Sequence, residues 1–233
     1  MFSFKSWIIC ILFVFTLNNF EAQNRYATWL RGTFTISLNK QFKLDHEFQY
    51  RRQNGSTNYN LFDKDLMSSY RSWVSFQTKE IVKFSLSPFA YFYHYNLSED
   101  KHTVEYRYTI ACEIQKLVKA KQRIVNRFAL EYRMYQNTSN SLFRFRDRIG
   151  YRYELSDKMY ITFSDELFVS LSKIPAEFFD QNRLGLNVGY MLSSHLKLDV
   201  GYNFVHRKKA SNLTLAYENN LLIYLNYRIG KEH

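Results

Sequence analysis

Cysteine is nearly absent: the 233 residues contain two. Cys10 lies inside an apolar run at the N-terminus that reads as removable, so Cys112 is left alone. An intramolecular disulfide is thereby excluded from the processed chain. Proline (two) and glycine (seven) are equally scarce, and apolar residues make up 46%. A chain with that much buriable side chain is not intrinsically disordered. Beyond the N-terminus no stretch approaches 18 consecutive apolar residues, so no segment reads as a membrane-spanning helix. The chain also lacks C-x-x-C, a phosphate loop and G-x-G-x-x-G. Its length fits one ordinary domain.

Aromatic residues are abundant instead, at 18%, with 3 Trp, 19 Tyr and 21 Phe beside 23% charged residues and a net charge of +11. Part of the apolar count is N-terminal. Lys5 precedes the run Trp7 to Phe15 with Leu17, and the small Ala22 precedes polar Gln23. That order describes a secretory signal, residues 1–22, although Phe20 departs from the small residue usual three before the cut. The run falls short of the ~20 residues an anchor helix needs. Residues 23–233 are then one domain. Loss of Lys5 and Glu21 leaves the net charge at +11.

Along the rest of the chain the period is two. Gln41, Lys43, Asp45, Glu47, Gln49 and Arg51 alternate with Phe42, Leu44, His46, Phe48 and Tyr50. Successive side chains of a strand point to opposite faces, so one face is polar and the other largely apolar. The same alternation occupies 103–115, 122–134 and 142–155, with weaker versions at 26–38, 66–79, 82–95, 158–171, 182–192, 196–206 and 217–229. These eleven candidates exceed the ~5–6 residues of an ordinary strand and match the ~9–11 needed to cross a bilayer at a tilt. Connections alternate between tight turns and longer polar loops, the latter at 53–65, 96–101, 137–141, 172–181 and 207–215. That is the plan of an outer-membrane barrel. A soluble barrel would have to pack every ring into its lumen, which would overfill it. The expected fold is all-β, a transmembrane antiparallel up-and-down barrel of 10–12 strands. Because single-chain bacterial barrels have even strand numbers, ten or twelve are expected rather than eleven.

Trp29 with Arg31, Glu47-Phe-Gln-Tyr-Arg51, Arg144-Phe-Arg-Asp-Arg148, Asp165-Glu-Leu-Phe168, Phe179-Asp-Gln-Asn-Arg183 and Leu198-Asp-Val-Gly-Tyr202 resemble strands of the DUF2490 family, outer-membrane proteins common in Bacteroidetes. The resemblance implies an outer-membrane barrel and implies no activity.

The polar faces suggest a charge network in the lumen. Arg71, Arg107, Arg123, Arg127, Arg133, Arg144, Arg146, Arg148 and Arg152 would face Glu47, Glu105, Glu113, Glu131, Glu154 and Glu166, with Asp45 and Asp199 beside them. Buried charges need partners to offset desolvation, so the expected lumen is narrow or plugged by ion pairs. The corresponding function is non-enzymatic, a structural role or a small-solute channel. The alternative is an outer-membrane hydrolase built on an Asp165, Glu166 and Asp180 cluster, which no histidine accompanies in sequence. Separately, His94 and His102 flank a loop whose Glu99 and Asp100 could offer metal ligands, with solvated loop polarity as the simpler account. No catalytic, cofactor or metal residues are assigned. The expected partners are outer-membrane lipids and the barrel-insertion machinery, in a bacterial outer membrane after signal cleavage. Nucleic acid is not expected, because its stacking platforms need rings and cations on one surface. Oligomeric state is left open.

Overall fold

The computed structural model describes residues 25–55, 60–78, 81–95, 102–136, 141–172, 178–208 and 215–230. The signal segment and the Glu99 and Asp100 positions lie outside these. Eleven strands appear: β1 (Arg25–Ser37), β2 (Phe42–Gln53), β3 (Lys64–Thr78), β4 (Val82–Tyr95), β5 (His102–Lys119), β6 (Gln122–Tyr135), β7 (Ser141–Glu154), β8 (Met159–Ser170), β9 (Phe179–Met191), β10 (Leu196–Lys208) and β11 (Leu215–Ile229). They form one closed barrel in sequence order.

The expectation of an even number is corrected. Region 26–38 is one simple strand, and among the described residues there is no twelfth. Odd-numbered strands all run from the rim of the longer loops to the rim of the tight turns. With eleven, the first and last therefore run the same way, and they pair in parallel from Arg25↔Glu218 to Ile36↔Ile229. The other neighbours are antiparallel. Parallel closure leaves no open sheet edge, which is what a hydrocarbon surround demands.

Two irregularities decide which side chains reach the lumen. The register of β4 slips around Pro88, between Ser87 and Tyr91 against β5 and between Ser72 and Val74 of β3. Proline has no N–H to donate, so a bulge is where a strand accommodates it. The slip changes the inward parity of β4, which is Lys83 and Ser85 below it and Ala90, Phe92 and His94 above it. A second slip, between Arg51 and Arg52, shifts β3 at Leu66.

The two faces are unlike. Phe34, Phe48, Phe84, Tyr108, Ile110, Phe128, Ile149, Phe163, Tyr202 and Leu225 stand exposed on the outside, while Glu105, Arg107, Glu131 and Arg144 are buried within. A band of rings and aliphatic groups facing outward is the surface of a membrane-spanning barrel. The interior is not wholly polar, however. Ala27, Trp29, Val205 and Leu222 form one inward apolar cluster, and Met67, Ala90 and Phe92 form another. Close packing at the wall uses a small residue at Gly189, where a Cβ would run into the Tyr160 ring.

Candidate functional site

The site is the lumen, and its wall is an ion-pair ladder across six neighbouring strands. His94 Nε2 on β4 lies 3.0 Å from Glu105 Oε2 on β5. Glu105 also accepts from Arg107 Nε at 2.8 Å and from Arg133 Nε on β6 at 2.7 Å. Glu131 on β6 accepts from Arg144 Nη2 and Arg146 Nη1 of β7, both at 2.6 Å, with Arg107 Nη1 at 3.4 Å. Glu166 on β8 takes Arg146 Nη2 at 2.5 Å and pairs with Arg183 of β9 at 3.6 Å. Each of these carboxylates is inward because it shares parity with its neighbours, and each meets two or more guanidiniums. Arg is suited to this sharing, since its planar fork donates to several oxygens at once.

The remaining expected positions form separate, mostly longer ion pairs outside the ladder. Glu113 holds Lys83 at 2.8 Å and Arg148 at 3.7 Å. Glu154 meets Arg123 at 3.4 Å and Arg152 at 3.9 Å. Glu47 meets Arg31 at 3.7 Å, and Asp45 accepts from Thr35 Oγ1 at 2.6 Å. Asp199 lies 3.2 Å from Lys197 and accepts the Tyr160 hydroxyl. Arg71 and Arg127 have no carboxylate within 4 Å among the described residues.

Several lumen residues escape the sequence reading. Trp29, Trp73, Phe92 and Phe168 project inward, and guanidiniums stack on them. Arg51 lies 3.7 Å from the Trp29 ring centre, Arg107 4.0 Å from Phe92, and Arg183 4.3 Å from Phe168. A cation over an aromatic face is held by the ring quadrupole, more strongly where water is excluded. The available signal was parity. Trp29 falls in the series of Arg25 and Arg31, Trp73 in that of Arg71, and Phe168 in that of Glu166.

The side chains narrow the lumen without filling it. A cavity of about 1240 Å³ runs from Arg25 and Lys208 at the loop rim to Lys83 and Lys197 near the turn rim. Sixteen Lys and Arg side chains line it against six carboxylates. Adding the buried Glu105 and Glu131 still leaves cations ahead two to one.

The proposed carboxylate cluster does not form. Asp165 faces outward and accepts from Asn182 Nδ2 at 2.6 Å, whereas Glu166 faces inward and Asp180 pairs with Arg144 at 2.9 Å. Adjacent strand residues point to opposite faces, so Asp165 and Glu166 are separated by the wall itself. His102 stacks on Tyr93, 4.5 Å between ring centres, away from the lumen. Among the described residues no group of three or more His, Cys, Asp or Glu is gathered as a metal site requires.

Residues 26–216 match the family described as protein of unknown function, DUF2490. The chain belongs to the DUF2490 family. Among solved structures, an anion-selective porin from Comamonas acidovorans is similar with a TM-score of 0.39 and 12% identity, over 81% of this chain and 53% of that one. This DUF2490 chain thus spans about half the length of that porin. No curated protein matches it in sequence.

Proposed function

We propose that this DUF2490 protein, exported by residues 1–22, is a non-enzymatic barrel of the bacterial outer membrane whose constricted lumen passes small anionic solutes. The observation that carries this is the lining of sixteen cationic side chains against six carboxylates. A low-dielectric wall lined by one sign of charge focuses the field and concentrates counter-ions within it. Fixed cations in a narrow path favour anions, as rings of Arg and Lys do in anion pores. The aromatic exterior supports lipid as its surround, and insertion machinery and outer-membrane lipids as its partners.

The test is conductance in a planar bilayer across a potassium chloride gradient. A small conductance whose reversal potential favours chloride is expected. Silence of the purified, heat-modifiable barrel, or preference for potassium, overturns the reading.

A further inference from the structure

Arg71 and Arg127 are two cations of this lumen that lie outside the ion-pair ladder; Arg51, a third without a carboxylate partner among the described residues, donates to Gln49 Oε1 at 2.9 Å. Neither guanidinium has a carboxylate within 4 Å among the described residues, and the Nε of each is buried without a hydrogen-bond partner. Arg71 is 7% exposed. Both lean on one ring: Arg71 lies 5.1 Å and Arg127 4.8 Å from the centre of Trp73. Arg71 also lies 5.2 Å from Phe92. All three of Arg71, Trp73 and Arg127 face the cavity.

Arg127 belongs to β6 and Trp73 to β3, so the two side chains meet across the inner faces of β5 and β4. Beyond Glu113 and Lys83, which are level with Arg127 in register, those faces carry small residues. Ser87 opposes Thr109, Ala111 opposes Ala129, and Ala90 opposes Arg71. Ser87 and Thr109 are buried, and Thr109 Oγ1 has no partner among the described residues. Small inward residues leave room on these strands, and the Nε groups of Arg71 and Arg127, unpartnered beside the cavity, are donors.

Cation–π contact offsets part of the desolvation of a guanidinium, but it leaves the N–H donors unmet. The carboxylates opposite them in register, Glu47 for Arg71 and Glu113 for Arg127, stand beyond ion-pair distance, so the repulsion between the two like charges is only partly offset. Donors, positive charge and open space at one point call for an acceptor with negative charge. We infer that Arg71, Arg127 and Trp73 form a binding site for a small oxyanion, a phosphate or a carboxylate, at mid-depth in the lumen. Bidentate guanidinium contacts suit the paired oxygens of either group. The site refines the anion-passing reading by giving the path a resting point, and a solute held there retards the flow of others.

The experiment measures binding apart from conduction. The purified barrel in detergent is heated at constant ionic strength in chloride, in rising inorganic phosphate, and in rising succinate. The temperature at which the folded gel band is lost should rise saturably with phosphate or with succinate, and which of them acts identifies the oxyanion. In Arg71→Gln and Arg127→Gln the apparent affinity should fall roughly ten-fold or more, as loss of a hydrogen bond to a charged group implies. Absence of a saturable shift in the parent with both anions overturns the site. So does an undiminished shift in an Arg71→Gln, Arg127→Gln double variant that still forms the folded band. A barrel that binds phosphate yet passes no chloride would refute the channel and keep the site.

Discussion

Arg25 and Glu218 face each other across the seam that closes the barrel, with Nη1 3.2 Å from Oε1. They are also register partners in the parallel β1–β11 pairing. Glu218 reaches in the other direction to Arg207 Nη2 on β10 at 2.9 Å. One carboxylate thus ties the first strand to the last two at the loop rim. Parallel pairing is slightly weaker per residue than antiparallel pairing, so a side-chain clasp at the seam has a structural use.

Glu218→Gln should loosen that seam by leaving Arg25 and Arg207 facing each other without a shared anion. Their side chains are 38% and 34% exposed, so solvent screens part of the loss. A destabilisation of about 1–2 kcal/mol is expected, below the ~3–5 kcal/mol of a wholly buried pair. Urea unfolding of the detergent-solubilised barrel, followed by loss of the compact gel band, measures it. An unchanged midpoint contradicts the clasp.

Glu131→Gln should be the most damaging single change in the ladder. The substitution keeps volume while removing the charge shared by Arg107, Arg144 and Arg146. Glu131 is fully buried, so about 3–5 kcal/mol is expected. Glu154→Gln, whose partners are more distant and partly solvated, should cost under ~1 kcal/mol. The ratio of the two losses is the check, and equal losses would show that burial does not set the hierarchy.

Asp147 lies on the outward face, between Phe145 and Ile149, and its Oδ1 is buried with no hydrogen-bond partner. A carboxylate among lipid-facing rings is unfavourable, though less so than Arg or Lys at ~2–4 kcal/mol. Asp147→Leu should therefore stabilise the barrel in lipid by about 1 kcal/mol. Asp165→Leu should gain less, since Asn182 already satisfies that carboxylate. Paired unfolding titrations in lipid vesicles compare them; a destabilised Asp147→Leu would show that this face meets something other than hydrocarbon.

Cys112 offers a direct reading of the two faces. Its register partners are Phe84 and Phe128, both exposed on the outside. In vesicles a hydrophobic maleimide should label it and a charged, water-soluble thiol reagent should not, as intact mass reports. Fast labelling by the charged reagent would place Cys112 in water.

Much of the fold was legible because a strand's alternation is local. Gln41 to Arg51 needed no distant residue to declare two faces, and the long ring-rich series already excluded a lumen that could hold them. The placement of Arg144, Arg146 and Arg148 on one face followed from the same period. Eleven strands fall within the expected 10–12, and the eleven segments are bounded to within a few residues; only the preference for an even number fails, because it rested on an assumption about parity. The inward aromatics were missed because a ring in a polar series reads as an exception. Trp73 and Phe168 are inward because they share the parity of Arg71 and Glu166, and guanidiniums beside them cover their ring faces. The Asp165 and Glu166 cluster failed for the opposite reason, since neighbours in sequence are on opposite sides of the wall.

By itself the sequence determined that the chain forms long two-faced strands with rings on one side and charges on the other, because period two acts residue by residue. The tertiary structure alone decided that β1 closes on β11 in parallel, because the direction of the last strand depends on the count of all the others. It also decided which charges share partners and which do not. Arg127 and Trp73 meet across two intervening strands, and the Pro88 bulge sets which residues of β4 face the lumen. Those heights are set by strand stagger and bulges summed around the barrel, and the space between Arg71 and Arg127 exists only once the ring of strands is closed.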